Sequence, residues 1–318
     1  MRTRGVAGSV SCPAGRRGRT IAIALCSMAI GPPANAQELA YSGAVHVTTG
    51  EYFFTERTTS FAFINGLTLT SGRLRLSASI PVYTQNSTAV TYVNGMPVPT
   101  GGPDAGAVRE REPGKKVPMG PGRGGPGART SFDVATAVEP GATDTVTSPG
   151  SYQTDLGDPL LQAGLDLVQG NGGLRALGIY GLAKAPVANV ESGVGTGEWD
   201  VGGGATLGLG GTATFLFADV SYWVNGDLPD LPLRNTLNYA VTVGRWLGTG
   251  RWSVSASLLG ATEMIDGVDA PISVGVGLGY SAAAGRMLNA GVGTGLTESA
   301  SDLSAYLGWR VPLGRSGL

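Results

Sequence analysis

Cysteine and histidine are nearly missing from this chain. Of 318 residues only Cys12 and Cys26 are cysteine, and both precede residue 37. Everything after that point is without thiols, which excludes disulfides and cysteine chemistry there. The single histidine, His46, leaves no His/Cys cluster for a transition metal. It shares a polar strand face with Ser42 and Thr48, but serines recur on every such face, so nothing marks a nucleophile–base pair. The Gly195-x-Gly197 pair follows no strand–helix unit and is no nucleotide loop. The expectation is a non-enzyme with no catalytic residue, metal or cofactor. Long apolar runs are missing too. After residue 37 no stretch of 18 apolar residues is free of Gly or charge, so a spanning helix is not expected.

What is abundant is glycine, 53 residues or one in six, in a chain that is still 42% hydrophobic. Glycine disfavours helices through the entropy it adds to the unfolded chain. A chain this apolar is not wholly disordered. Strands and turns are the remaining choice.

The first 36 residues read as a secretory signal. Arg2, Arg4, Arg16, Arg17 and Arg19 form a basic segment, Ile21 to Ile30 is apolar, and Ala34-Asn35-Ala36 offers a small-x-small cleavage site before Gln37. Ten apolar residues are too few to span a bilayer, which needs about 20. Cleavage would remove five of the 22 basic residues and none of the 23 acidic ones, leaving 17 against 23, net -6.

Residues 37–318 alternate apolar and small or polar side chains in segments of about ten, the length of a tilted transmembrane strand. Trp252, Val254, Ala256 and Leu258 alternate with Ser253, Ser255 and Ser257. Leu74 to Val82 and Leu303 to Val311 behave alike. Twelve such segments lie near 39–49, 59–70, 73–83, 159–169, 174–185, 199–209, 212–223, 235–246, 251–261, 270–281, 286–297 and 302–313. Short Gly-containing turns alternate with longer polar loops between them. Lipid offers no partner for backbone N–H and C=O groups, so a sheet that enters it must close. The expected fold is all-β: a transmembrane, antiparallel, up-and-down β-barrel of 12 strands in the outer membrane, both ends periplasmic. Asn65 falls on the apolar parity of its strand, out of pattern. Phe215 and Phe217 share the face of Asp219 and Ser221, which reads as an aromatic patch in the lumen.

Between about 84 and 153 the chain is rich in Pro, Gly, Ser and Thr, a composition that cannot support a core. It reads as a flexible surface loop or as a gate folding over or into the pore. Its stretch from 101 to 130 has a net charge of only +3, with one aromatic, Phe132, just beyond, so nucleic acid is not an expected partner.

Gly157-Asp158 opening a strand, Lys184-Ala185-Pro186 ending the next, and Gly195-Thr196-Gly197 followed by Asp200 resemble the outer-membrane transporter family of the phenol-degradation meta-cleavage pathway. The hairpin from Phe61 to Tyr83 is similar to that family's first repeat. Val187-Ala188 stands where the family has Thr-Gly, and the loop at 92–150 is longer. The resemblance implies a twelve-stranded barrel passing small molecules, aromatic ones among them, and no particular substrate transfers with it.

By strand parity the lumen-lining candidates are Arg73, Arg75, Asp166, Lys184, Asp200, Phe215, Phe217, Asp219 and Arg310. They would either select solutes by sign and size or brace the wall as salt bridges. Tyr41, Tyr83, Trp199, Tyr222, Trp223, Trp246, Trp252 and Trp309 sit near strand ends and read as an interfacial girdle. The expected function is passage of small molecules, hydrophobic or aromatic ones among them. The alternative is a closed structural or display barrel whose long loop binds a partner. Expected partners are a small-molecule solute, outer-membrane lipid and the barrel-assembly machinery.

Overall fold

Period-two patterning becomes a closed wall of antiparallel strands. The computed structural model describes residues 37–102, 105–111, 114–118, 152–170, 172–228, 230–248 and 250–316. The leader expected at 1–36 lies outside the described residues, as does the whole stretch from 119 to 151. The strands are β1 (Gln37–Gly50), β2 (Thr58–Ser71), β3 (Leu74–Gln85), β4 (Thr91–Val93), β5 (Met96–Val98), β6 (Gln153–Leu156), β7 (Leu160–Gln169), β8 (Leu174–Lys184), β9 (Asp200–Gly210), β10 (Thr214–Val224), β11 (Thr236–Leu247), β12 (Trp252–Ala261), β13 (Ile272–Ser281), β14 (Met287–Gly295) and β15 (Leu303–Ser316).

Each wall strand pairs with its neighbour in sequence, and β1 pairs with both β2 and β15, so the sheet has no free edge. Both β6 and β7 pair with β3 and make one stave, giving a 12-strand barrel. That stave breaks at Gly157 to Pro159, opposite Pro81. Pro81 and Pro159 supply no N–H to the ladder. The Gly157 amide donates to the Pro81 carbonyl at 2.9 Å and carries the wall across the gap. The twelve observed staves match the twelve segments read from alternation.

Two faces follow from the pleat. Phe61, Phe63, Leu67 and Leu69 of β2, Leu74, Leu76 and Ile80 of β3, and Val276 and Leu278 of β13 lie on one parity and are exposed. In water each would cost about 1.5–3 kcal/mol relative to burial. Facing lipid, they are the belt that holds the barrel in a bilayer. The other parity points inward. On β12 to β14 it is small, with Ser253, Ser255 and Ser257 opposite Gly279, Gly277 and Gly275.

Asn65 sits on the outward parity and the register stands. It accepts a hydrogen bond from the Tyr41 hydroxyl at 2.8 Å, so its carboxamide oxygen is partnered on the lipid side.

The rims differ. One carries the short connections at 72–73, 170–173, 211–213, 248–251 and 282–286, together with Gln37 and Ser316. The other carries loops at 51–57, 86–152, 185–199, 225–235, 262–271 and 296–302. In outer-membrane barrels the short-turn rim is periplasmic and the long-loop rim extracellular.

The long loop departs from expectation. It cannot build a core alone, but residues 86–118 share one with other loops. Phe53 and Phe54, Val90, Val93, Val98, Val108 and Val117, Leu231 and Leu233, and Met264, Ile265 and Val268 form a single buried cluster across the long-loop mouth. These residues come from loops on opposite sides of the ring. The hairpin β4–β5 contributes Val93 and Val98 to this cluster and turns at Asn94 and Gly95, with φ of 54° and 80°. Two left-handed residues in succession make a hairpin turn that twists with its strands. A five-residue helix, α1 (Ala105–Arg109), buries Ala105 and Val108 in the same cluster.

Candidate functional site

Among the described residues, the lumen is filled at one end and largely unfilled at the other. Inward residues near the extracellular rim are buried beneath the cap: Ala62, Tyr83, Ser221, Trp223 and Thr236. The Tyr83 ring of β3 stacks on Tyr92 of the β4–β5 hairpin with centroids 3.8 Å apart. Near the periplasmic rim Ala40 and Ser253 are buried as well, but part of the inward face stays exposed. Phe217 is 51% exposed and the Arg75 side chain 53%.

The cap is tied down at its edge by charge. Lys116 donates to Glu51 at 2.5 Å, and Arg57 reaches Glu51 at 3.3 Å and Asp302 at 3.1 Å. Arg111 pairs with Glu298 at 2.6 Å, and its guanidinium lies 4.4 Å from the centre of the Phe53 ring. Lys116, through its hydrogen bond, and then Arg57 hold the Glu51 carboxyl below its ordinary 4.5. Burial pushes the phenols of Tyr52 and Tyr92 above their ordinary 10, so both stay neutral within the cap.

The charged residues picked out by parity mostly pair along the wall. Arg75 meets Asp166 at 3.3 Å, and Gln169 donates to the same carboxylate at 2.8 Å. Asp219 accepts the Tyr180 hydroxyl at 2.8 Å. Arg310 pairs with Glu38 at 2.6 Å. Arg73 lies in the turn between β2 and β3, where its carbonyl accepts from the Asp166 amide at 2.8 Å.

Lys184 and Asp200 are different, because they do not face open lumen. Lys184 Nζ sits 3.0 Å from Asp158, 2.8 Å from Asp200 and 2.8 Å from the Thr196 hydroxyl, with the three charged side chains almost fully enclosed. Asp158 also accepts the amides of Val187 and Ala188, and Asp200 accepts that of Gly226. The residues that carry the family resemblance therefore converge on one clamp. It pins the 185–199 loop and the start of the β10–β11 loop to the wall. Gly195 is needed there because a Cβ would strike Ala188 and the Asp158 carboxylate.

The aromatic residues are redistributed. Tyr83, Trp223 and Trp246, expected in the interfacial girdle, lie on inward parity: Trp223 pairs with Gly202 and Thr236, and Trp246 with Ser253. Their position near strand ends was a weaker signal than their parity within the strand. Trp252 faces lipid and packs on Tyr280, centroids 4.7 Å apart. Phe215 lies 5.6 Å from Phe217 and 5.3 Å from Trp246, so three inward rings gather near the periplasmic rim. His46 is inward as well and stacks against Tyr306 at 5.8 Å.

No family model matches the chain. No curated protein matches it either. Among solved structures, an outer membrane channel from Pseudomonas putida F1 is similar over 88% of this chain and 96% of that one, with 12% identity and a TM-score of 0.53. The β domain of the Bordetella autotransporter BrkA matches over 87% and 99%, with 12% identity and a TM-score of 0.38. Outer membrane phospholipase A from Escherichia coli matches over 88% and 90%, with 12% identity and a TM-score of 0.36. The expectation of a non-enzyme is corrected here: likeness of fold does not decide for or against catalysis. What the chain shares with the channel is its fold. The closed wall, lipid-facing belt and unequal rims place it in the outer membrane.

Proposed function

We propose that the barrel passes small molecules across the outer membrane, hydrophobic and aromatic ones among them, with the cap as its gate. The observation that carries this reading is the asymmetry of the lumen. The periplasmic half leaves Phe217 and Arg75 exposed, while the extracellular half is closed by loops alone. A plug built from loops and held at its edge by ion pairs, most of them solvent-exposed, can move without breaking the hydrogen bonds between wall strands. The resemblance to phenol-degradation transporters is the support for an aromatic solute. Cleavage before Gln37 and insertion by the barrel-assembly machinery belong to the same reading, and N-terminal sequencing of the membrane-extracted protein tests the first. The parity residues that remain in open lumen, Arg75, Phe215, Phe217 and Arg310 among them, would line the path.

The test is solute uptake into liposomes and conductance across planar bilayers, for the full chain and for a variant with residues 87–151 replaced by a short Gly-Ser turn. Passage that rises when the cap is removed supports gating. No permeation by either protein rejects the reading.

The dry core of the cap favours a second reading, a closed barrel that presents its loops to a partner. Loop deletion that abolishes partner binding, in a barrel inert to solutes, would establish it.

A further inference from the structure

Three inward aromatic rings gather on β10 and β11 at the periplasmic end of the lumen, and a cation stands beside them. Phe215, Phe217 and Trp246 form this group, within 5.6 Å of one another in sequence of contact. Each phenyl ring lies over a glycine. A Cβ on Gly244 would run into the Phe215 ring, and one on Gly208 would meet Phe217. The glycines let the rings lie against the wall and leave ring surface turned to the lumen, where Phe217 is 51% exposed.

Arg175, at the start of β8, reaches into the same corner. Its side chain occupies the space that a Cβ on Gly210 would take, and Gly210 pairs directly with Phe215. Among the described residues the guanidinium makes a single hydrogen bond, 3.5 Å to the Gly211 carbonyl. Among the described residues no carboxylate forms an ion pair with it. Arg75, Arg310 and Lys184, by contrast, each have an acidic partner.

An exposed aromatic surface in a watery lumen and an unpaired guanidinium beside it have complementary uses. Rings stack on a flat aromatic solute in offset or edge-to-face geometry. A guanidinium receives a carboxylate through two parallel N–H donors. We infer that this corner is a binding subsite for small aromatic carboxylates at the periplasmic mouth. It rests on the passage reading for its purpose, but binding is measured without transport, so the two can fail separately.

The test uses the full-length barrel in detergent micelles, titrated with sodium benzoate and with benzyl alcohol while tryptophan fluorescence is followed. Trp246→Phe identifies the part of the signal that arises at this site. Benzoate is expected to quench Trp246 and to bind more tightly than benzyl alcohol. Phe217→Ala is expected to weaken both ligands about tenfold. Arg175→Gln should weaken benzoate about tenfold and leave benzyl alcohol unchanged, with Arg175→Lys recovering part of the loss. Both side chains are exposed, and an unchanged far-ultraviolet circular dichroism spectrum confirms that the variants fold. Equal affinity for the two ligands, or benzoate binding unaltered by Phe217→Ala or Arg175→Gln, overturns the assignment. Benzoate binding without benzoate permeation upholds the subsite and counts only against passage.

Discussion

Lys184 Nζ lies 2.8 Å from Asp200 Oδ2, and neither side chain is more than 4% exposed. With Asp158 at 3.0 Å the clamp holds two carboxylates on one ammonium. Their other oxygens are met by backbone amides, so the lysine is the one cation in the arrangement. Lys184→Met keeps the length of the side chain and removes that charge. Breaking a buried pair from one side costs about 3–5 kcal/mol, because the remaining charge is left unpaired. Equilibrium urea unfolding in detergent is expected to show that loss, and Asp200→Asn a loss in the same direction. A Lys184→Met barrel within about 0.5 kcal/mol of the parent, the size of an ordinary surface change, would contradict the clamp.

The Tyr41 hydroxyl and the Asn65 carboxamide meet on the lipid side of the wall. Tyr41→Phe strands the Asn65 oxygen where no water can replace the donor, at a cost of about 1–3 kcal/mol. Asn65→Leu in its turn strands the Tyr41 hydroxyl, whereas replacing both groups leaves no unpaired polar atom and should be nearly neutral or stabilising. The double variant should therefore recover most of what Tyr41→Phe loses. A double-mutant cycle of urea unfolding from lipid vesicles measures the coupling, and additive losses would show that the bond contributes nothing.

Glu51 links the cap to the rim and has its carboxyl held below 4.5 by Lys116 and Arg57. A depressed carboxylate pKa stabilises the folded form above the unfolded pKa, and that contribution is lost as pH falls through the folded value. The cap should therefore hold unchanged at neutral pH and loosen only below the ordinary carboxylate range of about 4.3. Protease cleavage of the loop after acidification reads this, and Glu51→Gln should bring looser behaviour to neutral pH. The pairs are exposed, so raised salt should weaken them as well. A cap equally protected in both proteins at pH 3 and pH 7 would assign the hold to its apolar core alone.

Trp309 covers Gly43 on the outward face, its indole in the space that a Cβ on Gly43 would occupy. It also neighbours Phe63, with centroids 6.2 Å apart. Gly43→Ala forces the indole off the wall, at a cost of about 1–3 kcal/mol for overpacking. The expected outcome is a lower unfolding midpoint together with a shift of Trp309 emission, compared in a Trp309→Phe background. An unshifted spectrum would mean that the indole stands clear of the glycine.

The staves were readable because a half-lipid, half-water wall imposes a period of two on every strand, and Gly-rich turns punctuate it. Asn65 broke the pattern without breaking the register, since its partner Tyr41 comes from another strand and alternation carries no cross-strand information. Tyr83, Trp223 and Trp246 were placed outward from their nearness to strand ends, whereas parity alone would have turned them inward. Lys184 and Asp200 were read as lumen-lining, but they are enclosed instead, because Asp158 and Thr196 from two other segments close over them. Arg175 escaped notice because β8 pairs irregularly between Leu174 and Ala176, which upsets the count by twos.

Alternation of greasy and small side chains, by itself, determined that this chain makes strands, how many, and that they must close in lipid. Only the folded chain decided that the lumen is stoppered at one end. The cap core gathers Phe53, Val93, Leu231 and Ile265 from four loops far apart in sequence, none with enough apolar surface to bury itself. Such a core exists only after the wall has brought the loop ends together, and local pattern has no means of recording it.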